Sequence, residues 1–256
     1  MLLLAAYKEC CLRHLRQKIC RGQVLLEGRR AAHVRAVLQA RPGDTLRVGV
    51  VGGCQGRGRV LAVDEAAVRL ELALEGPPPA PPPLELILAL PRPIMLQRIL
   101  KQATVMGMRR LHLVKSQKVE KSYFASPVLA PDKVRSLLLA GMEQARDTWL
   151  PEVRIYRQFR PFVEDVLPGL SGPGLLAHPE ADRTLSEVFV LPTATAPLRL
   201  AIGPEGGWSD YELGMFAQAG FARFSMGSRI LHVDTAVVAL MAQIDLLCQL
   251  GRRAKR

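Results

Sequence analysis

Two rhythms of apolar positions organise the chain after residue 83. Leu84 to Leu90 is an almost unbroken apolar run, as expected for a strand covered on both faces. Shorter apolar runs recur at Leu111–Val114, Val153–Tyr156, Leu175–Ala177, Leu198–Ile202 and Phe221–Met226. Between them the period lengthens to that of a helix. Ile94 to Met106 predicts one helix, with Gly107 as its C′ residue. Pro131 to Trp149 predicts a second, in which Val134, Leu137, Leu138, Gly141, Met142 and Ala145 share one face. Pro131 suits its N1 position and Asp132 its positive first turn. A third ends before Gly220, and a last one runs from about Asp234 to Leu250. Its stretch Val237 to Leu247 is apolar almost all round, which calls for burial in the core or against a second subunit. This alternation predicts an α/β domain with a mainly parallel sheet and helices on both faces.

Before residue 77 the pattern is different. Met1–Ala6 reads as an edge strand and Val24–Leu26 as another, while His33–Leu38 makes one or two helical turns. Arg41-Pro42-Gly43-Asp44 has Pro at i+1 and Gly at i+2 of a turn. Thr45–Val51 alternates as a strand, Gly52-Gly53 starts a hairpin that Gly56–Val60 continues, and Val63–Leu74 holds one or two more strands. Many short strands in so short a segment suggest a small barrel. Pro77 to Pro83, proline at all but Ala80, is a stiff polyproline spacer. The domains expected are therefore 1–76, a linker at 77–83, and 84–256.

Composition narrows the partners. With 35 basic against 23 acidic residues the net charge is +12, which favours a polyanion. Lys8, Arg13, Arg16, Lys18, Arg21, Arg29 and Arg30 crowd the first thirty residues. Aromatic residues make up 5%, which argues against a binder built on base-stacking platforms. The five cysteines form no C-x-x-C pair and no histidines complete a metal set, so no metal is expected and a reducing cytoplasm is. The opening apolar run lacks the basic flank of a signal peptide and meets Lys8-Glu9 at once. No uninterrupted apolar stretch approaches the ~18 residues of a membrane span.

Two segments carry the chemistry. In the first, strand Leu198–Ile202 runs straight into Gly203-Pro204-Glu205-Gly206-Gly207, then Ser209-x-x-Glu212, a capping box. Glycines there let a ligand approach the backbone, at the strand end where open α/β sheets bind ligands. In the second, Met226-Gly227-Ser228-Arg229-Ile230-Leu231 leads to a helix start near Asp234-Thr235, whose amides can hold polar groups. There is no P-loop, and no G-x-G-x-x-G follows the first strand of the second domain.

Taken together, Gly203-Pro204-Glu205-Gly206-Gly207 and the later Met226-Gly227-x-x-Ile230-Leu231-x-x-Asp234-Thr235-Ala236 resemble the paired signature of the bacterial 16S ribosomal RNA uracil-N3 methyltransferases, of the SPOUT superfamily. Ile99–Thr104 with Gly107, Glu143-Gln144-Ala145-Arg146, Ala177-His178-Pro179-Glu180, and His33–Leu38 with Pro42-Gly43-Asp44 are similar to further stretches of that family. The resemblance implies a C-terminal knotted parallel-sheet domain, a small N-terminal PUA-like β-barrel that binds RNA, and a homodimer. It implies S-adenosylmethionine held by Leu176, His178, Ile202, Gly203, Pro204, Glu205, Gly207, Met226, Gly227, Ile230, Leu231, Thr235 and Ala236. Departures lie nearer the RNA: His232 and Asp234 replace the family's Arg and Glu, Val105-Met106-Gly107 its Glu-Leu-Gly, and Val37-Leu38-Gln39 its Val-Leu-Arg.

The function expected is methyl transfer to N3 of a uridine in 16S ribosomal RNA within the small subunit. The alternatives are another RNA target, or a non-catalytic RNA-binding or ribosome-assembly protein on the same fold. His232 or Asp234 is the candidate to assist proton loss, with Arg229 stabilising negative charge. The structural reading is favoured for both: His232 as a helix-start residue with a satisfied hydrogen bond, and Asp234 as an N-cap. Arg13, Arg16, Arg29, Arg30 and Arg35 are the candidate RNA contacts. Trp149 and Trp208 flank the candidate loops and offer either a stacking surface or packing.

Overall fold

The computed structural model describes residues 1–4, 21–76 and 82–254. Two compact units emerge: Met1–Ala80 with Met142–Leu150, and Pro81–Gly141 with Pro151–Arg256. Most of the proline spacer falls outside the described residues.

The first unit contains β1 (Leu2–Leu4), β2 (Arg21–Glu27), α1 (Gly28–Ala36), β3 (Thr45–Val50), β4 (Gln55–Val63) and β5 (Ala67–Gly76). The strands form one sheet in the order β1-β3-β4-β5-β2, antiparallel except for β1 beside β3. Leu2–Leu4 is thus the edge strand its sequence suggests. Val63–Leu74 resolves into the end of β4 and a single further strand. Among the described residues β1 and β2 are the two edges of this small β domain, and residues 5–20 between them lie outside the described residues. Leu26, Ala31, Val34, Val48, Val60, Val68, Leu70 and Leu74 form its core. The Arg41–Asp44 turn is present, with Asp44 N donating to Arg41 O at 3.0 Å and Gly43 at φ +99.

The second unit contains β6 (Leu84–Ala89), α2 (Pro93–Val105), β7 (Arg110–Val114), α3 (Pro131–Ala145), β8 (Glu152–Tyr156), a short helical turn α4 (Phe159–Pro161), β9 (Gly174–Ala177), α5 (Leu185–Val188), β10 (Leu198–Ile202), α6 (Asp210–Gln218), β11 (Phe221–Phe224) and α7 (Val233–Arg253). Its six strands are all parallel, in the order β11-β9-β10-β6-β7-β8. Every residue of β6 and β10 is buried, so both faces of the sheet centre are covered. The order places the later strands beside β6, and α7 then returns to pack on α2.

Two helix boundaries differ from the sequence pattern. The apolar period continues to Trp149, but α3 stops at Ala145 because Arg146 turns left-handed at φ +56. Residues 142–150 consequently join the first unit rather than the second, where Thr148 Oγ1 donates to Gly53 O at 2.6 Å and Gly52 N to Thr148 O at 2.7 Å. The last helix begins at Val233, with His232 as N-cap, so Asp234 lies inside the first turn and is not the cap. By length and composition α7 could cross a membrane, which the search for uninterrupted runs misses. Val237, Leu240, Met241, Ile244 and Cys248 are nevertheless buried, and the helix contacts α2 and β10.

Charged residues gather where the parallel strands begin. Glu85 on β6 pairs with Arg110 on β7 at 2.6 Å, and Arg110 with Glu152 on β8 at 3.0 Å. His112 Nε2 lies 3.5 Å from Glu85, too far for a strong hydrogen bond, while its Nδ1 is 3.1 Å from the Tyr156 hydroxyl. Burial works to raise the pKa of Glu85, but contact with His112 and the charge of Arg110 outweigh it and hold the carboxyl below its ordinary range. Arg199 on β10 donates to Gly172 O at 2.6 Å and lies over the Phe221 ring.

Because the folded-state pKa of Glu85 is depressed, its stabilisation is complete above the ordinary carboxylate range and is lost as pH falls through the lower folded value. Denaturant midpoints measured from about pH 6 downward should therefore fall less steeply for Glu85→Gln than for the parent; equal slopes would contradict the assignment. A second test concerns the α2–α3 contact, where a Cβ on Gly141 would sit 2.6 Å from Lys101 O and 2.7 Å from Thr104 Cβ. Gly141→Ala should cost about 1–3 kcal/mol in chemical denaturation through overpacking.

Candidate active site

Three loops leave the carboxyl ends of β9, β10 and β11, the neighbouring strands at one side of the parallel sheet. Their positions follow from the strands' lengths. β9 ends at Ala177, and His178 N donates to Phe224 O at 2.9 Å, which carries the pairing one residue past the strand. β11 ends at Phe224. Ser225 N then donates to Arg183 O at 2.8 Å and its hydroxyl to Pro179 O at 3.2 Å, so the first and third loops are fastened together. The third loop turns at Gly227, φ +111, a conformation that favours glycine.

The middle loop is the most heavily braced. Gly207 N donates to Pro204 O at 2.8 Å, closing a tight turn, and Gly207 has φ +72. Lys118 Nζ donates to Gly206 O at 2.9 Å. Arg92 N donates to Glu205 Oε1 at 3.3 Å, and the Arg92 side chain forms an ion pair with the same carboxylate at 3.9 Å. The capping box at Ser209 and Glu212 is formed, and Glu212 does more than cap. Only 1% exposed, its carboxylate accepts from Ser209 N at 2.9 Å, Ser209 Oγ at 3.1 Å, Ser116 Oγ at 3.1 Å and Gln117 N at 2.8 Å. Nothing in the local sequence announces the last two partners.

Between the loops lies a cleft with about 720 Å³ of open space. Ala177, His178 and Pro179 line it from the first loop, Ile202, Gly203, Pro204, Glu205, Gly207 and Trp208 from the second, and Met226, Gly227, Arg229, Ile230 and Leu231 from the third. Val233 and Ala236 of α7 complete the wall. Of the residues the sequence singled out for a cofactor, Leu176 is buried within β9 and Thr235 lies outside the lining; all the others are in it. Ala177, Pro179 and Val233 fall within the quoted motifs but are not among the residues singled out for the cofactor. Trp208 is 3% exposed and packs edge-on against Phe216, so it is not an open platform for stacking a base. Its Nε1 is buried without a hydrogen-bond partner and lines the cleft beside Gly203. An unmet donor in that position suits a polar ligand.

The proposed catalytic residues separate. Arg229 lines this cleft. His232, exposed and making no side-chain cap bond, lines an adjoining hollow. Asp234 is paired with Arg98 of α2 at 3.3 Å, and its other oxygen accepts from Thr235 N at 3.0 Å, which leaves it poorly placed to take a proton. Among the RNA candidates, Arg13 and Arg16 lie outside the described residues. Arg29 pairs with Glu143 at 3.2 Å, and Arg35 donates to Glu65 O. Burial, and then the charge of Arg29, lower the pKa of Arg30. Trp149 belongs to the first unit.

A profile of the RNA methyltransferase domain family matches residues 78–245. The ribosomal RNA small subunit methyltransferase E of Treponema pallidum is 30% identical over 89% of this chain and 87% of its own. The Synechocystis protein of the same name is 27% identical over 91% and 76% respectively. Among solved structures, ribosomal RNA small subunit methyltransferase E from Neisseria gonorrhoeae, bound to S-adenosyl methionine, superposes with a TM-score of 0.75 at 18% identity, covering 96% of this chain and 98% of that one. That likeness extends to the whole fold, and the profile match takes in all three cleft loops. The chain belongs to the RNA methyltransferase domain family, alongside the ribosomal RNA small subunit methyltransferases E.

Proposed function

We propose that this protein transfers a methyl group from S-adenosylmethionine to N3 of a uridine in the 16S RNA of the small ribosomal subunit. The observation that carries the reading is the three-loop cleft, in which glycine backbone and one unmet indole donor share a mainly apolar wall with His178, Glu205 and Arg229. That wall fits a nucleoside cofactor. Ile202, Pro204, Ile230, Leu231 and Ala236 can cover a purine, while the backbone of Gly203 and Met226 can meet its polar edge; the Gly207 N–H and both Gly227 backbone groups are already bonded to Pro204 and Ser225. The Trp208 indole N–H then gains an acceptor. S-Adenosylmethionine, when bound, supplies a methyl group on positively charged sulfur, an electrophile that a uracil nitrogen can attack.

The protein's own part is positioning and charge. The braced middle loop fixes one wall, and the Ser225 bonds fix the other two loops against each other. Arg229 adds positive charge beside the ligand, and His232 is the group suited to take the N3 proton. Asp234 is assigned a structural task, holding Arg98 and favouring the positive end of α7. Arg29, Arg30 and Arg35, with Arg13 and Arg16, give the PUA-like first unit its affinity for the RNA backbone. The return of α7 onto α2 is read as the knotted topology that the resemblance implies. Val238, Ala239, Ala242, Leu246 and Leu250 make a partly open apolar stripe along α7 that suits a homodimer.

Incubation with labelled S-adenosylmethionine and small-subunit particles from a strain lacking its own enzyme should place label in 3-methyluridine of 16S RNA. Label in transfer RNA, or cofactor binding with no transfer to any RNA, would refute the assignment. For the cofactor itself, Trp208→Phe should weaken binding about 3–10-fold by calorimetry, the worth of one neutral hydrogen bond. Gly203→Ala should weaken it at least as much, since the new Cβ lies 3.1 Å from Trp208 Nε1 and enters the cleft.

A further inference from the structure

Beside the cofactor cleft is a second hollow with about 670 Å³ of open space. The two share Glu205, Ile230, Leu231 and Val233, so one partition separates them. Arg92, Met95 and His232 line the second hollow and not the first. Ile230 is 85% exposed, an apolar side chain left open among the described residues. Arg92 is the N-cap residue of α2, and its backbone is held by the bond to Glu205. Its side chain is 62% exposed, lies 3.9 Å from Glu205 and shares a hydrogen bond with the Tyr123 hydroxyl, which leaves its remaining N–H groups facing the hollow. Arg98, further along the same helix, is instead engaged by Asp234. The other titratable groups around Arg92 are His232 and the Tyr123 hydroxyl, which donates to Glu120 at 3.1 Å.

We infer that this hollow receives the target pyrimidine and that Arg92 is a catalytic residue recognising it, an inference that rests on the methyl-transfer reading above. A base seated there stacks on Ile230 and brings a ring nitrogen to the shared partition. Arg92 donates to the carbonyl oxygen at C4. When the N3–H bond breaks, its electron pair stays on N3 and the proton passes to His232 or to water. The negative charge spreads onto the neighbouring carbonyl oxygens, where the guanidinium stabilises it most. The same contact discriminates between bases. Cytosine carries an amino group at C4, which would set a donor against a donor.

The test uses the full-length protein and small-subunit particles, with wild type run in parallel. Arg92→Ala should lower kcat about 100–1000-fold near neutral pH, and Arg92→Lys should restore part of it. The deficit of Arg92→Ala should shrink as pH rises, because solvent then helps remove the N3 proton. Cofactor affinity, measured by calorimetry without RNA, should fall no more than about fivefold, the worth of one exposed ion pair, because the Arg92 N–H bond to Glu205 survives the substitution. Unchanged kcat in Arg92→Ala, a deficit that does not vary with pH, or a loss explained by weaker cofactor binding would each overturn the inference while leaving the methyl-transfer reading intact. If the wild-type protein transfers no methyl group to these particles, that reading fails and this one falls with it.

Discussion

A single buried carboxylate holds the site together. Glu212 sits on the first turn of α6 and accepts four hydrogen bonds, two from Ser209 and two from the loop that follows β7. Among the described residues no Lys, Arg or His pairs with it as a salt bridge. Hydrogen bonds to a charged group contribute about 1.5–3 kcal/mol each, and an ion left buried without them is strongly destabilising. The glycine loop therefore does not depend on its own weak preferences for its shape. It is suspended between β10 and a helix start that is pinned to another strand's loop. Lys118, a neighbour of Gln117, adds a further tie to Gly206.

The second unit divides its chemistry between the two ends of one parallel sheet. At the amino ends, Glu85, Arg110 and Glu152 pair with one another and Arg199 bonds a nearby carbonyl, with His112 packed beside them. At the carboxyl ends, backbone and an unmet indole donor remain open. A parallel sheet makes this division natural, because every strand delivers its following loop to the same edge.

What the sequence disclosed follows the reach of each interaction. Local signals were legible. The apolar run of β10 ending in Gly-Pro-Glu-Gly-Gly, the Ser209 capping box and the stop of α2 before Gly107 all rest on neighbours within a few residues. The cleft loops were legible for the same reason, even where Leu176 and Thr235 fell just outside the lining. Non-local determinants were not. Arg146 leaves the helix although the apolar period continues, and the segment after it bonds to Gly52 and Gly53, about 95 positions away in sequence. Asp234 looked like a cap because it has the right chemistry, whereas the backbone makes His232 the cap and Arg98 claims the carboxylate. The hollow at Arg92 required two helices and a loop to meet, and no motif spans them.

The helix α7 has a consequence of its own. Val233 and Ala236 at its start form part of the cleft wall, while Leu246 and Leu250 lie half-exposed near its far end. Its 21 residues make a rod about 30 Å long, in contact with α2. A rod transmits displacement without needing a chain of intermediates. Anything that grips the distal leucines can thus tilt the proximal wall, and cofactor occupancy and whatever shelters that tail become linked quantities, each able to bias the other.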